Sequence, residues 1–141
     1  MTPLLTTLLL SDFAQVRERL LFVSSGGISR VAQTSFPANP GIHLALVVHL
    51  PAGTLGVLHR VLIKLKYPDQ VATIAQVEII IDLDEVAGAN PGEGINVPQV
   101  VDLSLITFSH AGQVDVQVSI DDDPVGDLTF WMLQAAPHQA G

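Results

Sequence analysis

The chain alternates. In Arg60–Tyr67 (RVLIKLKY), Val61, Ile63 and Leu65 fall on one side and Leu62, Lys64 and Lys66 on the other. Val114–Ile120 (VDVQVSI) sets Val114, Val116, Val118 and Ile120 against Asp115, Gln117 and Ser119. Ala75, Val77, Ile79, Ile81 and Leu83 share a third such face, opposite Gln76, Glu78 and Asp82. A strand produces this period of two, because successive side chains point to opposite sides. Ile42–Leu50 (IHLALVVHL) is apolar on both parities and suits a central strand covered on both faces. Turn-forming clusters such as Gly26-Gly27, Pro51 to Gly56, Pro68-Asp69, Gly88 to Gly94 and Asp121 to Gly126 interrupt these runs. The pattern predicts an all-β domain: a sandwich or small barrel of about eight or nine mostly antiparallel strands. At most one short helix is expected, over residues 11–20, where Phe13, Val16 and Leu20 share a helical face behind a Ser11 or Asp12 cap.

At 141 residues the chain is sized for one domain, 1–141, with a tail over 134–141 (QAAPHQAG) that has little to bury. Apolar residues make up 48% and charged residues 14%, against about 25% charged in an average soluble protein. Sparse charge of this kind points to strands buried on both faces, or to surface covered in an assembly. Cysteine is absent, which removes disulfides, thiolate metal sites and a thiol nucleophile. The opening MTPLLTTLLL lacks the basic region and cleavage site of a signal peptide. No apolar run reaches the roughly 18–20 residues of a membrane span. A cytoplasmic or virion location with no membrane partner is therefore expected.

Charge is distributed unevenly. Residues 1–66 hold all six basic residues against two acidic ones, a net of +4, whereas residues 67–141 hold twelve acids and no base, a net of −12. Either the halves pair within one fold, or the particle is dipolar and docks head to tail on copies of itself or on a basic partner. An acidic chain with seven aromatic residues is not expected to track nucleic acid.

Candidate sites are sparse. In Asp82–Glu93 (DLDEVAGANPGE), Asp82, Asp84 and Glu93 fall at positions 1, 3 and 12 of a calcium-loop count. Val86 and Ala87 stand where an oxygen ligand and the turn glycine belong. Asp121, Asp122 and Asp123 offer three adjacent carboxylates, although Asp is also a hairpin-turn residue. These six are weak metal-ligand candidates, and neither a catalytic set nor a cofactor is expected. Asn90-Pro91-Gly92 reads as a turn rather than a phosphate cradle, because no Lys-Ser/Thr follows. The five histidines read as structural or surface residues. Trp131, in the doubly apolar LTFWML, reads as core or interface.

Leu8–Val16 (LLLSDFAQV), Leu21–Val31 (LFVSSGGISRV), Pro37, Leu44–Pro51 (LALVVHLP) and Val116–Phe130 (VQVSIDDDPVGDLTF) form a recurring series. It comprises an apolar strand ending in Ala/Ser-Asp-x-Ala, a strand into Gly-Gly, a Pro before a long apolar strand, and a closing Asp/Gly hairpin. The series resembles a family of short uncharacterised bacterial proteins, also found in phage genomes. The chain departs from it with Arg17-Glu18-Arg19 in place of a Gly-Lys turn and Ile28 in place of a Trp. The resemblance implies a β-sandwich-like domain and carries no assigned site residues.

The leading expectation is a non-enzymatic protein acting through protein contacts with itself or other subunits. A subunit of a larger assembly such as a phage capsid, minor or decorating, is the concrete case, with neighbouring chains holding the ends. The alternatives are a module binding calcium or carbohydrate on the acidic loops, and a carboxylate-dependent hydrolase using Asp82 and Asp84.

Overall fold

The computed structural model describes residues 2–84 and 90–136. Nine strands appear in chain order: β1 (Leu4–Arg17), β2 (Leu20–Gly26), β3 (Arg30–Gln33), β4 (His43–Leu50), β5 (Leu58–Lys66), β6 (Ala75–Asp82), β7 (Ile95–Asp102), β8 (Gly112–Ile120) and β9 (Asp123–Gln134). They build two curled sheets, each a half-barrel. Sheet A has the order β2-β1-β4-β7, and sheet B the order β3-β9-β8-β5-β6. Every pairing is antiparallel except β3 with β9. Two 3-10 turns, Ala52–Thr54 and Leu103–Leu105, supply the helical content of the described residues. None of their helices is long and apolar enough to cross a membrane.

The alternation sets the core. Val61, Ile63 and Leu65 of β5 and Val114, Val116, Val118 and Ile120 of β8 are buried, as their parity requires. They meet Leu10, Leu44, Leu46, Val48 and Leu50 from sheet A in one cluster. Phe108 and Phe130 pack edge to face across it, with ring centroids 6.1 Å apart. Each such fully buried side chain contributes about 1.5–3 kcal/mol. β4 is central in its sheet, between β1 and β7.

No helix forms over 11–20, where at most one short helix was expected. Those residues complete β1, turn at Glu18-Arg19 and enter β2, pairing Ser11 with Gly26 through Arg17 with Leu20. Phe13 and Val16 lie on opposite sides of this ribbon. Apolar residues on both faces erase the period of two and imitate helical spacing. The expected tail also begins late, because Gln134 still belongs to β9 and pairs with Gln33. The rest of that segment, 137–141, lies outside the described residues.

Two hairpins close with two-residue turns in which both residues have positive φ. Glu18 and Arg19 stand at 51° and 64°, and Asp121 and Asp122 at 52° and 70°. That is the turn whose twist matches paired strands, usually built with Asn-Gly.

Candidate interaction site

The β8–β9 turn is anchored by a buried histidine. His59 has the inward parity of Val61 and Ile63 on β5 and is almost fully buried. Its Nδ1 lies 2.6 Å from Asp121 Oδ2 and its Nε2 lies 2.6 Å from the Thr54 carbonyl. Both partners only accept, so both ring nitrogens donate and the ring is an imidazolium. Burial pushes the imidazole pKa down, but the Thr54 carbonyl and the Asp121 carboxylate outweigh that and hold it above 6.5. Burial likewise pushes the Asp121 carboxyl up. Hydrogen bonds from His59 and the Arg60 amide, with the imidazolium charge, hold it below 3.8. The Arg60 amide reaches Asp121 Oδ1 at 3.0 Å. Both ring nitrogens are thus engaged within the fold, one by the hairpin turn and one by the Ala52–Thr54 turn.

Asp82 ends β6 opposite Leu58, and Asp84 lies beyond the strand end, so the two do not share a strand face. Residues 85–89 of the calcium-like loop lie outside the described residues. Glu93 is spent locally, accepting from the Asn90 amide and side chain at 2.9 Å. The Glu93 amide donates to the Asn90 carbonyl at 3.0 Å, and Gly92 has φ 79°, so Asn90–Glu93 is a turn. Asp121, Asp122 and Asp123 splay around the hairpin turn. Among the described residues no three His, Asp or Glu side chains gather as an ion would require. Trp131 is not core: it stands half exposed beside Arg30 and Gln113.

His43 and His49 occupy the two ends of β4. His43 packs edge to face on Phe13 at 5.2 Å, with Asp102 3.9 Å away. His49 donates to Asn96 Oδ1 at 2.8 Å. Hydrogen bonds from the Ser104 hydroxyl and amide hold the Asp102 carboxyl below its ordinary value.

The two sheets present different outer faces. Register places Glu78, Leu62, Ser119 and Pro124 in one outward row of sheet B, and Gln76, Lys64, Gln117 and Asp127 in the next. This face is largely polar. On sheet A the rows opposite the core are Leu9-Ala45-Val100 and Thr7-Val47-Pro98, which are largely apolar but covered, with Ala45 and Pro98 buried and the others half-buried. That face continues onto an arm. Strand β1 pairs with β4 only as far as Ser11, so Asp12–Arg17 and β2 form a two-stranded ribbon. Phe13 (49%), Val16 (41%), Leu20 (60%), Phe22 (48%) and Val23 (39%) are all exposed there, on both ribbon faces. Soluble monomers rarely expose apolar side chains this densely. The arm went unread in the sequence because its turn carries Glu-Arg rather than a glycine signal. The signal for His59 was present, since the parity of Val61 and Ile63 already places it inward.

At the other end of β1, a cleft of ≈ 620 Å³ opens between Leu4, Leu5, Ile120 and Val125, with Asp121 and Asp123 at its rim. Leu5 closes the gap between the sheets there by lying against Gly126, where an added Cβ would stand 2.7 Å from Leu5 Cδ2.

No curated protein sequence matches the chain. The model of the family of unknown function DUF6941 matches residues 6–132, which span every strand just described apart from the first residues of β1 and the last of β9. The chain belongs to DUF6941.

Proposed function

We propose that this protein is a non-enzymatic subunit that works by protein contact, through the β1–β2 arm. The exposed apolar ribbon Phe13–Ser24 carries the reading. Folding gains nothing from holding Phe13, Leu20 and Phe22 in water, whereas a contact that buries them gains about 25 cal/mol per Å². An edge strand such as β2 also offers unpaired backbone groups, which proteins ordinarily blunt or use for pairing. A component of a larger particle such as a virion, minor capsid or decorating, is the concrete case we favour, since each copy there has standing neighbours.

The test is the triple variant Phe13→Ser, Leu20→Ser, Phe22→Ser. It is expected to melt within a few degrees of the parent and to lose every association the parent makes, read by light scattering and by co-sedimentation with particles. A parent protein that stays monomeric at all concentrations and travels with no particle or partner sinks the reading.

A further inference from the structure

The arm and the cleft belong to opposite ends of sheet A. Ser11, the last β1 residue paired with β4, faces His43, the first residue of β4. Leu4 and Leu5, which wall the cleft, pair with His49 and Val48 near the end of β4. The six residue steps from Leu5 to Ser11 span roughly 20 Å of strand. No residue of the arm lines the cleft of its own chain.

The two features are complementary in two respects. The arm ends in Val16-Arg17-Glu18-Arg19-Leu20, with two exposed apolar side chains flanking a turn of net charge +1. Among the described residues neither Arg17 nor Arg19 lies within ion-pair distance of a carboxylate. The other bases near the acidic end have partners: Arg60 pairs with Glu78 at 3.2 Å and His59 with Asp121. The cleft has apolar walls and an acidic rim. With Asp121 committed to His59, Asp123 stands exposed at its rim, and Asp82 and Asp84 are exposed at the same end of sheet B; Asp122, on the same turn, lines a separate hollow beside Leu62 and Lys64. Two of the six bases thus stand at an apolar-flanked tip at one end, and an acid-rimmed apolar cleft stands at the other.

Resting on the contact reading above, we propose that the arm tip of one copy seats in the Leu4–Val125 cleft of a second copy. Leu20 and Val16 lie against the cleft walls, and Arg17 and Arg19 face Asp123 at its rim. The contact is heterologous, using different surfaces on the two copies. It therefore propagates into a ring where the rotation closes and into a filament where it does not.

The test uses two charge-reversed full-length proteins, Arg17→Glu/Arg19→Glu and Asp123→Lys, with light scattering over a concentration series. The parent is expected to form concentration-dependent multiples of the monomer. Each variant alone is expected to be monomeric at concentrations where the parent is more than half assembled. Mixed in equal amounts they are expected to regain multiples, since reversed tip meets reversed cleft. Thermal melts near that of the parent show that both are folded, and the mixture also serves as its own control for folding. Variants that each assemble like the parent, or a mixture that stays monomeric, overturn the tip-in-cleft contact while the contact reading stands on the Phe13, Leu20, Phe22 triple variant. A parent that is monomeric throughout but whose arm seats on a different protein also overturns self-docking, again without overturning the contact reading.

Discussion

His59 and Asp121 face each other at 2.6 Å across the strand ends of sheet B, 62 residues apart in sequence. The pair joins the Ala52–Thr54 turn to the β8–β9 hairpin, because the same ring also donates to Thr54. Its charge state fixes a pH window. Between about 6.5 and the folded pKa of His59, the unfolded chain has released a proton that the folded chain keeps, so stability falls as pH rises. Below 3.8 the unfolded Asp121 takes up a proton that the folded one refuses, so stability falls as pH drops. The contribution is fully present between 3.8 and 6.5. The Asp121 side chain is 40% exposed, so solvent screening keeps the effect to about 1 kcal/mol. Urea midpoints are expected to be higher at pH 5.5 than at pH 8.5, and equal midpoints would remove the imidazolium from the account.

Asp121→Asn isolates the charge. Asn tolerates the 52° φ of this position and keeps an oxygen for the His59 donor, so the turn and one hydrogen bond survive. The variant is expected to lose about 1–2 kcal/mol at pH 5.5, in the range of a charge-assisted hydrogen bond reduced to a neutral one. Its fall in stability from pH 5.5 to 8.5 is expected to flatten. An equally steep fall in the variant would assign the pH dependence to other groups.

The strands most legible in sequence were those with one dry and one wet face. β5, β6 and β8 lie within two residues of where their alternation places them, because a half-buried strand writes its environment into every second residue. The arm was illegible for the converse reason. Phe13, Val16, Leu20 and Phe22 are apolar on both sides of a ribbon, so no parity signal survives. The His59–Asp121 contact is spatial, and parity could place His59 inward without naming its partner. The acidic loops read well as turns, since Asp, Asn and Gly carry turn geometry in their own chemistry. Sequence spacing could not show that the β8–β9 turn borders a cleft walled by Leu4 and Leu5 from the far end of the chain.

The β1–β2 turn holds two residues without special tolerance for positive φ. Glu18 at 51° and Arg19 at 64° each carry a left-handed cost of about 1 kcal/mol. Replacing them together, Glu18→Asn with Arg19→Gly, supplies the residues this turn prefers and is expected to stabilise the fold by about 1 kcal/mol. Differential scanning calorimetry reads this as an upward shift of roughly 3 °C for a domain of this size. The same change removes Arg19 from the arm tip, so a more stable monomer is expected to associate less. A variant that is less stable than the parent would mean that the arm conformation is held by something other than its turn.

Ser11 is completely buried where the arm leaves the sheet, and its hydroxyl has no hydrogen-bond partner among the protein groups. It sits in the row Gly26-Ser11-His43, three residues before Ala14, which is also buried, and under this packing both positions admit only small side chains. A buried hydroxyl without a partner costs about 1–3 kcal/mol, and a methyl group fills nearly the same space. Ser11→Ala is therefore expected to raise stability by about 1 kcal/mol, whereas Ser11→Val is expected to lower it, because the extra carbons crowd a close-packed site. Chemical denaturation of the two variants against the parent measures both signs. A destabilised Ser11→Ala protein would show that the hydroxyl is satisfied in solution, by a water held between β1 and β4, and that the base of the arm is wet rather than dry.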